Sequence, residues 1–148
     1  MAVLTREPID LTALQRTGAA EGALCLFVGV VRDHHQGRRV LRLEYEAYEE
    51  MALPLLARIE EEARRRWPVG AVSIVHRLGP LEVGEASVAV AVRSAHREEA
   101  FAACRWAIDT LKATVPIWKK EYGEDGSSWM EGPGTCAPDT AALEPPPR

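Results

Sequence analysis

The spacing of apolar and polar residues changes period several times along the chain, and each change marks an element. "GALCLFVGVV" (Gly22–Val31) is a short, partly β-branched apolar run and predicts a buried strand. "DHHQGRR" (Asp33–Arg39) is a polar turn. "VLRLEYEAY" (Val40–Tyr48) alternates, with Leu43, Tyr45 and Ala47 opposite Arg42, Glu44 and Glu46, and predicts a half-exposed strand. From Leu53 to Trp67 the period becomes helical, with Leu55, Leu56, Ile59, Ala63 and Trp67 on one side. Pro54 fits a first turn there, and Pro68 and Gly70 end the helix. Ala71–Gly79 and Ala86–Ser94 read as two further strands joined by "PLEVGE". A second helix is expected from about Ala95 to Thr114, with Phe101, Cys104, Ile108 and Leu111 as its apolar stripe. Val115 precedes Pro116 and is pushed toward extended geometry, which stops that helix. A short strand is expected at "SSWME", Ser127 to Glu131. The order ββαββα with a late strand predicts an α+β fold.

At 148 residues with 47% hydrophobic content, this is one domain with enough apolar material for a core. The ending, "GPGTCAPDTAALEPPPR", holds five of the ten prolines and reads as a flexible tail, so the expected division is 1–131 for the folded domain and 132–148 for the tail. A net charge of −4 argues against broad grip on nucleic acid or an anionic membrane, though not against a local basic pocket. No apolar run suggests a signal peptide or a membrane span. Cys25, Cys104 and Cys136 form no C-x-x-C pair, and an odd count without a secretion signal points to a reducing cytoplasm. Cys25 and Cys104 lie on apolar faces and read as core, and Cys136 falls in the tail.

Three stretches carry candidate chemistry. In "SAHREEAF", Ser94 fits an N-cap, which puts His96 and Arg97 in the first helical turn, where cations oppose the helix dipole. Free N–H groups beside an arginine and a histidine suit an anion. An arginine paired with a nearby glutamate beside a surface histidine suits the pattern equally. In "LKATVPIWKKE", Lys112 near a helix C-terminus is favoured by electrostatics alone. Beyond Pro116 an extended chain would put Ile117, Lys119 and Glu121 on one side and Trp118 and Lys120 on the other. One of the two later lysines therefore faces inward, and alternation leaves open which. In "VGVVRDHHQGRR", Arg32 follows a buried strand at a strand-to-loop edge. The neighbouring His34 and His35 point apart on an extended chain, and no third ligand sits at helical spacing, so no metal is expected. "RIEEEARRR" reads as a solvated helix face with Glu60–Arg64 and Glu61–Arg65 pairs. Lastly, sixteen residues of straight helix separate His96 from Lys112 by roughly 24 Å, too far to line one small pocket in one chain. If both act, two copies related by a two-fold axis would bring one helix start toward the other helix end.

"FVGVVRDHHQG", "EARRRWPVG", "VHRLG", "VGEASVAVAVRSAHR" and "LKATVPIWKKE", in this order and at these spacings, resemble the family of large, catalytic subunits of molybdopterin synthase. The likeness runs from about Gly22 to Glu131. It implies an α/β-hammerhead fold and a central homodimer. It implies a small ubiquitin-like partner at each end, giving a heterotetramer, whose thiocarboxylated Gly-Gly tail supplies sulfur to cyclic pyranopterin monophosphate to build a dithiolene. No metal or other cofactor is implied. By position, Lys112 and Lys119 match the catalytic lysines, and the Trp118–Lys119 pairing makes Lys119 the inward one. Arg32, His96 and Arg97 match the substrate-binding residues, with Glu121 and Trp118 in support. Cations crowded around a lysine would ease loss of its proton. "YEEMALP" lacks the glycine expected before Met51, and the proline-rich ending is not the family's usual one. The competing reading is a non-catalytic dimer that binds a phosphorylated metabolite. The lysine pair distinguishes the two, since holding a phosphate requires neither beside a tail-sized groove.

Overall fold

Both helical patterns form helices, with ends that differ from the expectation. In the computed structural model, which describes residues 1–126 and 128–132, α1 spans Glu49–Arg66 and α2 spans Arg97–Thr114. α1 starts a turn earlier than its apolar stripe. Pro54 therefore lies in the second turn, on the exposed side, where water can serve the carbonyl that loses its donor. Ala52, Leu56, Ile59 and Ala63 form the buried stripe, with Leu55 and Trp67 half-buried beside it. On α2 the buried residues are Ala100, Ala103, Cys104, Ala107, Ile108 and Leu111, and Phe101 is 64% exposed. Small side chains, not Phe101, face the core there, so the helix lies close on its sheet. Val115 caps α2 in extended geometry, as the following proline requires.

The charge run on α1 is not a simple solvated face. Glu60 and Glu62 are buried. Glu60 accepts the Ile74 N–H at 2.8 Å and lies 3.5 Å from the N-terminal amine. The helical pairs that form are Glu62–Arg66 at 3.1 Å and Glu62–Arg65 at 3.3 Å, in place of Glu60–Arg64 and Glu61–Arg65. The helix rotates to aim its apolar stripe at the sheet, and this carries Glu60 to the sheet edge, where a carboxylate can take a backbone donor.

The two helices cover one sheet of order β1-β5-β7-β2: Val3–Thr5, Val69–Arg77, Ala86–Ser94 and Ala23–Val30. β1 runs parallel to β5, and the other pairings are antiparallel. Val72, Ile74, Val88, Val90 and Val92 meet the helices there and form the main core. The second sheet is built on β4 (Arg38–Ala47). It pairs with β8 (Ile117–Gly123), which pairs with β9 (Ser128–Glu131). β3 (His34–His35) and β6 (Gly79–Glu82) also pair with β4. The arrangement is α+β, as expected. The polar turn contains the short strand β3, closed by Gln36 and Gly37 with φ of 52° and 77°, the signs a two-residue type I′ hairpin needs. No helix among the described residues is long and apolar enough to cross a membrane. The expected tail, with Cys136, lies outside the described residues apart from Gly132.

Candidate active site

Strand register assembles the centre of the site. β4 against β8 sets Tyr45 opposite Lys119 and Leu43 opposite Glu121. β8 against β9 sets Lys119 opposite Glu131. Tyr45, Lys119 and Glu131 thus form a row across three strands. The alternation read from the sequence holds: Lys119 and Glu121 face inward with Ile117, and Glu121 is 2% exposed. Lys120 lies on the other face, its Nζ 5.3 Å from the centre of the Tyr122 ring. Trp118, a supporting residue by the resemblance, shares that outer face at 36% exposure.

The Lys119 ammonium bridges two carboxylates, 3.0 Å from Glu121 and 3.0 Å from Glu131. Burial works against its charge, but the two carboxylates outweigh burial and hold its pKa above the ordinary lysine value. This reverses the expectation that crowding cations would loosen the proton. The nearest charged groups are acids supplied by the same strand and its neighbour. His35 completes the cluster, with Nδ1 3.0 Å from Glu121 and Nε2 3.9 Å from Glu131. His34 points away, to Asp33. His35, Glu121 and Glu131 therefore offer three donor atoms within 4.8 Å of one another, a set spread over β3, β8 and β9 that helical spacing could not reveal. A cation, the Lys119 ammonium, already bridges the two carboxylates.

Beside this cluster opens a cleft of about 250 Å³, lined by Arg32, His35, Tyr45, His76, Lys112, Lys119 and Glu131 among others. A smaller recess of about 150 Å³ shares Arg32, His35, Tyr45, Lys112 and Lys119 and reaches Glu121 and Ser87. Arg32 enters from the end of β2 and Lys112 from the last turn of α2. Pro116 then turns the chain so that Lys119, seven residues on, reaches the same space. The structure thus gathers Arg32, Lys112, Lys119 and Glu121. Three cations face two carboxylates, a small positive excess suited to an anionic guest.

His96 and Arg97 lie at the other end of α2, away from this cleft. His96, not Ser94, is the N-cap residue. The Ser94 hydroxyl accepts the His96 N–H at 3.4 Å, and Arg97 is the first helical residue. Both side chains are exposed, and among the described residues Arg97 forms no ion pair with the neighbouring glutamates. Tyr45 and His76 escaped the sequence reading. Burial raises the pKa of the Tyr45 phenol, and the Tyr45 ring stands edge-on to His76 with centroids 5.0 Å apart. The signal for His76 was visible, since strict alternation in "VSIVH" puts it on the face of Val72 and Ile74.

Residues 4–114 match the family model described as MoaE protein. The molybdopterin synthase catalytic subunit of Nostoc sp. is 47% identical over 136 residues, covering 90% of this chain and 82% of that protein. The corresponding subunit of Bacillus subtilis is 49% identical over 129 residues, covering 86% and 82%. The crystal structure of molybdopterin synthase from Staphylococcus aureus superposes with a TM-score of 0.82 at 41% identity, over 87% of this chain and 95% of that one. With the two-sheet fold and the lysine-bearing cleft in place, these matches show that the chain belongs to the MoaE protein family.

Proposed function

We propose that this chain is the catalytic subunit of a molybdopterin synthase in the cytoplasm, acting in molybdenum cofactor biosynthesis. It moves sulfur from the thiocarboxylated Gly-Gly terminus of a small ubiquitin-like subunit to cyclic pyranopterin monophosphate. The observation that carries this reading is the convergence of Lys112, Lys119 and Arg32 on one cleft, in a chain whose relatives are named as catalytic subunits of that enzyme.

The chemistry follows from charge. A thiocarboxylate and a phosphate are both anions, and each must be held close without neutralising the sulfur nucleophile. Arg32 offers a planar fork for phosphate oxygens. Lys119, fixed by Glu121 and Glu131, is a permanent cation that need not reorganise as negative charge develops on the thiocarboxylate oxygen and the substrate. Lys112 supplies the second cation. Trp118 and Met130 are exposed on the outer face of the second sheet, the face of Lys120, and give a partner an apolar foothold next to the cleft.

His96 and Arg97 join the site from a second copy. They lie about 24 Å along α2 from Lys112. Two observations support a partner at their end of the helix. β2 is an outer strand of its sheet and starts beside Ser94, and Phe101, one turn after Arg97, is 64% exposed. A two-fold pairing there makes the central homodimer, with one small subunit at each end. The test is reconstitution with the thiocarboxylated small protein and the pyranopterin precursor. The dithiolene product is expected with the wild-type chain and is lost with Lys119→Ala while the dimer persists. Absence of product from wild-type chain that binds the small protein refutes the reading.

A further inference from the structure

His76 is 4% exposed, on the strand face that carries Val72 and Ile74, where an apolar residue would continue the core. Its Nδ1 lies 2.8 Å from the Arg77 carbonyl oxygen. A carbonyl oxygen only accepts, so Nδ1 carries the proton and the neutral ring leaves Nε2 bare. Burial, with a contribution from the Lys112 charge, pushes the imidazole pKa down to about 4, so the ring is neutral at physiological pH. Edge-on contact with Tyr45 fixes the ring plane.

A bare acceptor at a nearly buried position needs a donor. His76 lines the cleft, and so do five donor-bearing side chains: Arg32, His35, Tyr45, Lys112 and Lys119. His35 gives its Nδ1 proton to the Glu121 carboxylate at 3.0 Å. Lys119 is committed to Glu121 and Glu131. Tyr45 presents its ring to the imidazole, and its hydroxyl interacts with Ser87. Arg32 is exposed at the end of β2. Lys112 is the cation whose charge reaches His76.

The geometry points to His76 as a positioning residue: its bare Nε2 is the neutral hydrogen-bond acceptor that orients the Lys112 ammonium into the cleft. This deepens the proposed function and rests on that reading for the role of Lys112. It divides the work of the lysines. Lys119 is held by acids that offset its charge. The His76 acceptor is neutral, so it orients the Lys112 ammonium toward the anionic sulfur donor and substrate without itself offsetting the charge.

Two isosteric variants separate this role from a purely structural one. His76→Asn keeps a donor near the Nδ1 position and loses the Nε2 acceptor. His76→Gln loses the first and places an amide oxygen near the second. Single-turnover sulfur transfer is measured with both, in reconstituted enzyme that is active as wild type, so failure of the proposed function itself is seen separately. His76→Asn is expected to lose roughly ten- to hundredfold in rate, the worth of a hydrogen bond to a charged group, and His76→Gln about threefold or less. Equal losses, no loss, or a better Asn variant overturns the proposal. A second measurement needs no substitution at His76. Imidazole 15N resonances of the wild-type chain are expected to show the proton on Nδ1, and the Nε2 resonance is expected to move in Lys112→Met. A proton on Nε2, or an Nε2 resonance indifferent to Lys112→Met, overturns the proposal even if both His76 variants fail to fold.

Discussion

Lowering the pH from 7 to 5 is expected to destabilise this protein through one residue, His76. Its folded pKa lies near 4, against an ordinary value of 6.5. In the unfolded chain the ring takes up a proton as the pH falls through 6.5, while in the fold it stays neutral. The unfolded state therefore binds the extra proton, and stability present above pH 6.5 is lost progressively toward pH 4. A gap from 6.5 to about 4 corresponds to about 3 kcal/mol in all, of which about 2 kcal/mol is lost by pH 5. Other groups titrate in part of this range. Asp33 and Glu85 have lowered pKa values, and Glu60, pushed up by burial, shifts the opposite way. A difference measurement removes them. Urea unfolding of wild type and His76→Asn is followed at pH 7, 6 and 5, at one fixed protein concentration because stability of the proposed homodimer depends on concentration. The wild-type advantage is expected to shrink by about 2 kcal/mol between pH 7 and pH 5. An advantage constant across that range would refute the claim that His76 is buried as a neutral ring.

Two further outcomes follow from the site. Glu131→Gln removes one of the two carboxylates that hold the Lys119 proton, so the alkaline limb of the rate profile is expected at lower pH than in wild type. An unmoved limb would separate Lys119 from the pH dependence. Burial pushes the Cys104 thiol up to about 12, so roughly one molecule in ten thousand is a thiolate at pH 8. Cys104 in the folded chain is expected to resist alkylation for hours, as followed by peptide mass spectrometry, and to react once the chain is unfolded.

Much of the fold was legible where one face of an element is buried continuously. β2 announced itself as a continuous apolar run, β4 by alternation, and both helices by apolar residues at steps of three and four, with β5 and β7 as apolar stretches bounded by turn residues. β3 and β6 have two and four residues, too few to show a period. Boundaries failed where a tertiary contact overrode the local pattern. α1 runs back to Glu49 ahead of its stripe, and α2 packs its alanines inward and leaves Phe101 outside. At the site, Arg32 and Lys112 stood out because each lies at the end of a recognisable element; alternation left Lys119 and Lys120 as alternatives, and only the family resemblance selected Lys119 and named Glu121. Glu131 and His35 were not readable, because they reach Lys119 only through the registers of β9 on β8 and β3 on β4. A contact set by the pairing of distant strands leaves no local periodicity.

The central claim is that one sulfur-transfer site is built from two chains, with the lysines from one and His96 and Arg97 from the other. Mixing inactive Arg97→Ala chains with inactive Lys119→Ala chains, under conditions where dimers exchange, tests it directly. Half of the random dimers are mixed, and each mixed dimer holds one site with both residues intact, so activity is expected to return to about a quarter of wild type. No recovery in a mixture shown to contain mixed dimers would contradict a site shared between two chains.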